Sequence, residues 1–362
     1  MGDRVLRTGE KRSGIAEICI LFSVTIFLFI FLGYRVQSRN FHSGIIITEF
    51  VLISLPAVIF LIASGLRFKE TARLNRTRFI NFFIVFWIVI FAIPLAAVFN
   101  MINLFIVDTI FGKVMVEAMP VGENGLELLL SILIIAGSAG ICEEFVFRGV
   151  IQRGFETFGP VRSILLAAFL FSLTHLDFQK ILGTFLLGVL IGFIVYRTNS
   201  LFCGMFAHFT NNAIAVIAGY ISNKLLDIFQ KTGDMIQPSG DSISEIFDFF
   251  SSMPKYQLNA VLLVYGFMII FCGAILGLFI YLLTRLNPAS STQIRIELDE
   301  PMPVVSAESD ETQRTAVSKA KGLLWLIPGF FLIGVWYYTQ ACTFLGTGNG
   351  VTEAFRHMIG AG

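Results

Sequence analysis

Three short motifs place polar side chains inside apolar stretches of this chain. They are Glu143-Glu144-x-x-x-Arg148, Phe171-x-x-x-His175 and His208-x-x-x-Asn212. A charged side chain at the centre of a bilayer costs about 2.5–3.5 kcal/mol, so such residues are rarely kept there without a role. The two motif histidines are half of the four in the chain. Two carboxylates, an arginine, two imidazoles and an amide in apolar surroundings therefore indicate a functional site.

Helical spacing separates the roles of the two adjacent carboxylates. Glu144 and Arg148 are four residues apart and share a helix face, so their side chains can pair. Glu143 points roughly 100° away from that face and stays clear of the arginine. A carboxylate without a counter-ion in an apolar pocket is suited to general-base catalysis. We therefore predict Glu143 as the base and Glu144 as the orienting carboxylate, with the reverse assignment left open.

The other two motifs each occupy one helix face as well. His208 and Asn212 are four apart, so the amide can hydrogen-bond the imidazole or point beside it at a substrate carbonyl. Phe171 shares a face with His175 and can wall the pocket. Counted from the expected cytoplasmic helix ends, Glu143, His175 and His208 lie about 18, 22 and 12 Å deep. Three helices thus place polar groups at a similar depth in the membrane.

The chemistry that fits these groups is hydrolysis by an activated water molecule. Glu143 would take a proton from water, while His175 and His208 would stabilise the oxyanion or protonate the leaving amine. Glu143, His175 and His208, together with Glu144, could also ligate a divalent metal such as zinc. The chain has no HExxH motif, so spacing alone gives this metal site little support, and no other cofactor is indicated.

The composition is that of a membrane protein. Hydrophobic residues make up 56% of the chain and charged residues only 14%, whereas soluble domains have about 45–50% and 25%. The net charge of +1 argues against a nucleic-acid partner. The five cysteines form no CxxC or Cys/His pattern, which argues against a disulfide framework and a structural zinc.

Apolar runs long enough to cross a bilayer recur along the chain. We predict them at residues 15–36, 44–66, 79–107, 126–152, 160–176, 178–197, 200–222, 258–284 and 322–341. The fifth run is short, so the chain has eight or nine spans. Because the runs are continuous rather than alternating, we expect an all-α, multi-pass transmembrane helical bundle.

The lysines and arginines indicate that the N-terminus is cytoplasmic. The residues before the first span are basic, and segment 67–78 has five basic residues against one glutamate. Segments 113–125 and 223–257 are acidic or sparse in charge. With nine spans the C-terminus is then extracytoplasmic. Arg35 and Arg39, which follow the first span, run against the pattern.

These features divide the chain into five parts. They are N-terminal spans at 1–124, a catalytic core at 125–222, an extracytoplasmic loop and a further span at 223–285, a flexible polar linker at 286–318, and a C-terminal span and tail at 319–362. Glu17, Glu49 and Glu127 also lie in or near spans. We interpret these three as interfacial or packing residues because the sequence shows no partner for them.

In this order and on successive spans, the three motifs resemble those of the CPBP family of intramembrane proteases. That family includes the type II CAAX prenyl endopeptidases and the bacterial Abi proteins linked to bacteriocin processing and immunity. The string Glu143-Glu144-Phe145-Val146-Phe147-Arg148-Gly149 is especially close to the family's first motif, and the resemblance covers about residues 125–222. It implies an all-α membrane fold, a site open to the cytoplasm, and endoproteolysis. It also implies roles for Glu143, Glu144, Arg148, His175, His208 and Asn212.

From this resemblance we expect a peptide or protein substrate, with or without a lipid group, and a bacterial plasma membrane. We slightly favour a glutamate-activated water over a metal-dependent reaction. A catalytically silent immunity or scaffold protein is the alternative, although the intact motifs favour an enzyme. A transporter could use the same charges as a proton relay, but the sequence shows no repeated halves or matched broken helices.

Overall fold

The structure is a computed structural model that describes residues 14–115, 120–232, 250, 252–288 and 317–360. Within these residues the chain forms helices, turns and loops but no β-strand. In lipid there is no water to bond the backbone N–H and C=O groups, and a helix satisfies them within one segment. The all-α fold predicted from the continuous apolar runs is confirmed.

Eleven helices account for most of the described part of the chain. They are α1 (Ile15–Arg39), α2 (Phe41–Ala63), α3 (Phe68–Thr71), α4 (Phe79–Phe111), α5 (Gly125–Phe158), α6 (Pro160–Leu173), α7 (Ile181–Thr198), α8 (Leu201–Thr232), α9 (Lys255–Leu286), α10 (Val317–Leu345) and α11 (Gly350–Ile359). Eight of these helices are long and apolar enough to cross a membrane, and α6 is the short fifth run. The chain is an integral multi-pass membrane protein, as predicted.

Two segments differ from the predicted layout or lie outside it. Helix α8 continues to Thr232, past the predicted end of its span at residue 222. The extra residues include leucine, lysine and glutamine, which favour helix, so the helix does not stop at the end of the apolar run. Most of the linker predicted at 286–318 lies outside the described residues, between the end of α9 and the start of α10.

Helices α6 and α7 form a hairpin that carries one of the motif histidines at its tip. Gly159 has a φ of +90°, which glycine adopts without strain, and reverses the chain after α5. Pro160 then begins α6, where its missing N–H leaves no backbone partner unsatisfied. The 14 residues of α6 span about 21 Å, less than a hydrocarbon core of about 30 Å. The chain then turns through residues 174–180 before α7 begins.

Helix α5 lies at the centre of the bundle, with α2, α6 and α8 packed against it. Its Val146, Phe147 and Ile151 belong to one buried core that also includes Phe171 of α6 and Ile194 of α7. Helix α9 is different, because it packs mainly against α4 and exposes most of its large apolar side chains. In a bilayer, lipid would cover that exposed apolar face.

Two ion pairs to the buried Glu156 stabilise the end of the bundle at which α1 begins. Arg73 Nη2 lies 2.6 Å from Glu156 Oε1, and Arg153 Nη1 lies 2.6 Å from Glu156 Oε2. Burial lowers the pKa of Arg73, and the nearby carboxylate of Glu156 opposes that shift. The Arg73 carbonyl also accepts a hydrogen bond from Leu201 N. One residue thus connects the loop after α2 to the end of α5 and the start of α8.

We predict that Arg73→Met lowers the free energy of unfolding by about 3 kcal/mol, since it leaves a buried carboxylate short of one partner. Arg67→Ala is the matched control, because the Arg67–Glu70 pair is exposed and such pairs contribute about 0–1 kcal/mol. Denaturant titration of both variants in mixed micelles measures the difference. Equal losses in the two variants would contradict a special role for the Arg73 pair.

Candidate active site

A single carboxylate oxygen joins two of the three motifs. Glu144 Oε1 accepts a hydrogen bond from Arg148 Nη1 at 2.7 Å and lies 2.7 Å from His208 Nδ1. All three side chains are buried. The local pair between Glu144 and Arg148 that the spacing predicts is present, and the contact with α8 adds the histidine. If Nδ1 carries the proton that faces Glu144, the Nε2 of a neutral His208 has a free lone pair.

The guanidinium of Arg148 is fixed from two further sides. Its Nη2 donates to the carbonyl of Gly188 on α7 at 3.2 Å. Its Cζ lies 4.3 Å from the centre of the Phe171 ring on α6, which places the cation over an aromatic face. One turn further along, Gln152 Nε2 donates to the carbonyl of Gly192 at 3.1 Å. These contacts tie α5 to α6 and α7 at the level of the site.

Glu143, the predicted base, lies beside this network without joining it. Its Oε2 is 3.8 Å from His208 Nε2, which is too long for a direct hydrogen bond. That oxygen is buried and has no hydrogen-bond partner among the described residues. The two adjacent glutamates therefore have opposite surroundings, as the 100° rotation around α5 predicts. A proton can pass between Glu143 and His208 only through a bridging molecule or after a small movement.

His175 sits just beyond the end of α6, close to the other site residues. Its Nδ1 lies 3.1 Å from the carbonyl oxygen of Phe171. The Phe171 ring packs edge-on against both imidazoles, with centroid distances of 4.9 Å to His175 and 5.7 Å to His208. His175 also lies within electrostatic range of Glu143 and His208. The Phe171 ring thus contacts both histidines, and its role as a wall of the pocket stays a prediction.

The structure distinguishes the two arrangements considered for Asn212. Its Oδ1 accepts a hydrogen bond from Asn211 Nδ2 at 3.1 Å. The Nδ1 of His208 faces Glu144, so the described residues show no hydrogen bond between this amide and the imidazole. The other arrangement, in which Asn212 points at a substrate carbonyl beside His208, stays a prediction.

Glu49 is a third carboxyl group at the site, rather than the interfacial or packing residue predicted from the sequence. It lies on α2, is 8% exposed, and its carboxyl group interacts with that of Glu143. The Oε2 atom of each residue is buried without a hydrogen-bond donor among the described residues. One proton held between the two carboxyl groups would satisfy both oxygens. In the sequence, Glu49 stands out only as a glutamate within an apolar span. Its partner, Glu143, is far away in the sequence.

The other two glutamates first interpreted as packing residues do have local roles. Glu17 Oε2 accepts the N–H of Gly14 at the start of α1, and Glu127 Oε2 accepts the N–H of Glu123 near the start of α5. Both therefore cap helix N-termini, where acidic side chains are favourable. Of the three, only Glu49 reaches the site.

The side chains do not form an evident metal centre. Among the described residues, no group of three or more His, Cys, Asp or Glu side chains is placed to hold a metal ion. The predicted ligand set of Glu143, His175 and His208 is thus not assembled as a coordination sphere. One oxygen of Glu144 already receives two contacts from protein side chains.

Gly204 allows α8 to approach the buried carboxylate. A Cβ at this position would overlap Val195 and lie 3.2 Å from Glu144 Oε2. Any side chain here must push α8, and with it His208, away from α5 and α7. The short contact between His208 and Glu144 therefore depends on a residue without a side chain four positions earlier.

We predict that Gly204→Ala destabilises the protein by about 1–3 kcal/mol through overpacking. Adding Val195→Ala should restore part of the loss, because it removes the overlapping methyl groups. Gly334→Ala in α10 is the matched control, since no atom lies within 4 Å of its Cβ position. That control should be neutral or more stable by up to about 1 kcal/mol. Thermal unfolding in detergent compares the variants, and equal effects of the two alanines would contradict the close approach.

Comparison with known proteins supports the interpretation of the motifs. Residues 125–214 match the family model described as type II CAAX prenyl endopeptidase Rce1-like. This range includes every residue of the three motifs. No curated protein and no solved structure matches the chain. The resemblance to CAAX-type proteases of the CPBP family is confirmed by this match over residues 125–214.

Proposed function

We propose that this protein is an intramembrane endopeptidase that hydrolyses a peptide bond with a water molecule activated by Glu143. The observation that carries the proposal is the contrast between the two adjacent glutamates. Glu144 is held by Arg148 and His208. Glu143 instead faces the other imidazole nitrogen across 3.8 Å, with a buried oxygen that has no hydrogen-bond partner among the described residues. Adjacent carboxyl groups in such different surroundings suit different roles in acid–base chemistry.

In the proposed reaction, a water molecule binds beside Glu143 and gives it a proton while attacking the substrate carbonyl. The C–O bond forms as the carbonyl π electrons move to the oxygen. Collapse of the tetrahedral intermediate then breaks the C–N bond, and Glu143 returns the proton to the leaving amine. When protonated, His208 presents an Nε2–H to the oxyanion, and Glu144 stabilises the imidazolium through Nδ1.

His175 and Asn212 have supporting roles in this proposal. The contact of His175 Nδ1 with the Phe171 carbonyl fixes the ring and leaves Nε2 for the substrate or the attacking water. Asn212 lies one helical turn beyond His208 and would donate its amide to the substrate carbonyl. Arg148 and Phe171 touch the catalytic side chains rather than the reacting atoms, and they act as positioning residues.

We predict that Glu143→Gln and His208→Ala each lower kcat/KM by about 10²–10⁴-fold, the range expected when an acid–base group is lost. The assay uses purified protein in liposomes with a panel of peptides that includes prenylated CAAX sequences. Glu17→Gln is the matched control, because it makes the same chemical change at an exposed helix cap.

The same panel, run with and without a chelator, tests the alternatives. If the water is activated by Glu143 without a metal, the rates of peptide cleavage should be the same with and without the chelator. Loss of activity with chelator and recovery with added zinc would instead indicate a metal-dependent protease. No cleavage of any peptide by folded wild-type protein would contradict the proposal and favour a silent, partner-binding role.

We further predict that Glu49→Leu lowers kcat by about tenfold, since one lost hydrogen bond of about 1–1.5 kcal/mol has that effect on a rate. Glu49→Gln should keep most of the activity, because its amide can still donate to Glu143. KM should change little in both variants, since Glu49 contacts Glu143 and not the substrate. A glutamine variant as slow as the leucine variant, with both folded, would rule out this positioning role.

A further inference from the structure

A cavity of about 550 Å³ reaches His175 from one end of the bundle. This volume lies in the range of about 300–1,000 Å³ that is typical of ligand sites. Its wall combines apolar and polar side chains. The polar lining includes Gln37, Asn100, Asp177, Gln179, Lys180 and Gln340. In apolar surroundings, polar side chains are favourable only beside water or another polar partner.

The wall of the cavity is held by specific contacts. Trp336 Nε1 on α10 donates to the carbonyl of Leu176 at 2.7 Å, in the turn between α6 and α7. Leu176 has a φ of +51°, a conformation that a leucine keeps only when its surroundings enforce it. Asn103 Nδ2 donates to the carbonyls of Phe178 and Gln179 at 3.0 and 2.7 Å. Helices α4 and α10 thus fix the turn that carries His175.

The lining residues place the cavity at one particular end of the bundle. Gln37 and Gln340 lie in the last two turns of α1 and α10, and Met115 lies just beyond the end of α4. These three helices all begin at the opposite end, where Lys319 Nζ donates to the Thr157 carbonyl at 2.8 Å. The cavity therefore opens away from the end at which the first helix begins.

The charges of the chain indicate which side of the membrane each end faces. The end opposite the cavity carries the five basic residues of segment 67–78, together with Arg162, Arg197 and Lys319. The cavity end carries fewer cations, and Lys180 there pairs with Asp177 at 3.1 Å. Lysine and arginine collect on the cytoplasmic side of membrane proteins. By this rule the cavity faces the extracytoplasmic side.

We propose that the substrate enters this site from the extracytoplasmic side, as an extended peptide segment that lies in the cavity beside His175. The proposal rests on the proposed endopeptidase function and adds the route and the class of substrate, which is a protein already exposed outside the cytoplasm. Amide side chains such as Gln37, Asn100 and Gln340 suit the N–H and C=O groups of an extended backbone. The family resemblance implied the opposite opening, towards the cytoplasm.

Cysteine labelling tests the route, because all five native cysteines are buried. Met115→Cys places a thiol in the cavity wall at a residue that is 36% exposed. Arg67→Cys is the matched control at the other end, where the native side chain is 80% exposed. A charged, membrane-impermeant thiol reagent is added to spheroplasts and, separately, to inverted membrane vesicles. Cleavage of the best peptide of the panel is then measured before and after labelling.

The expected result is labelling of Met115→Cys only in spheroplasts and of Arg67→Cys only in inverted vesicles. Labelling should lower kcat/KM of Met115→Cys by about tenfold or more relative to its own unlabelled rate, and leave that of Arg67→Cys unchanged. Labelling of Met115→Cys only in inverted vesicles would overturn the extracytoplasmic route. Labelling from outside with no loss of activity would overturn the cavity as the entrance.

The labelling pattern does not depend on catalysis, so the two proposals can fail separately. If wild-type protein cleaves no peptide, the proposed function fails and the substrate route fails with it. If wild-type protein cleaves peptides but the cavity is labelled from the cytoplasmic side, only the route is wrong.

Discussion

The negative charge of Glu144 is the constraint on which the arrangement of the site depends. A carboxylate buried between apolar helices is tolerated only when it is paired and hydrogen-bonded, and Arg148 and His208 both reach the same oxygen. Arg148 is in turn fixed by the Gly188 carbonyl and the Phe171 ring. Four helices, α5 to α8, are thus drawn around one ion pair, and the packing of the bundle sets the geometry of the candidate catalytic groups.

Glu143 and Glu144 are adjacent on α5, but their surroundings suit two different chemical roles. Glu144 has its charge compensated, while Glu143 and Glu49 face each other with Arg148 as the one nearby arginine of the network. Three carboxyl groups beside one permanent cation cannot all be ionised at low cost in an apolar interior. A proton shared between Glu49 and Glu143 would relieve this excess of negative charge. The same arrangement keeps Glu143 3.8 Å from His208 Nε2, without a direct hydrogen bond between them.

The spacing of residues in the sequence was sufficient to predict some features of the structure but not others. The Glu144–Arg148 pair follows from a separation of four residues on one helix, and the helical spans follow from uninterrupted apolar runs. The contact between His208 and Glu144 joins residues 64 positions apart, and its short distance depends on Gly204, which spacing does not reveal. Glu49 was misread for the same reason, because its partner lies on another helix. The direction in which the cavity opens depends on how α1, α4 and α10 meet the turn after α6, and a sequence pattern does not contain that packing.

The bond from Trp336 to the Leu176 carbonyl has a consequence for how the protein is made. Helix α10 emerges from the ribosome after all three motifs have been synthesised, yet its indole holds the turn that presents His175. A nascent chain that has inserted only α1 to α9 lacks that support and one wall of the cavity. Under the proposed endopeptidase function, hydrolytic competence would then arise late, once α10 has joined the bundle. The order of synthesis itself would then keep an incompletely inserted chain from cleaving neighbouring membrane proteins.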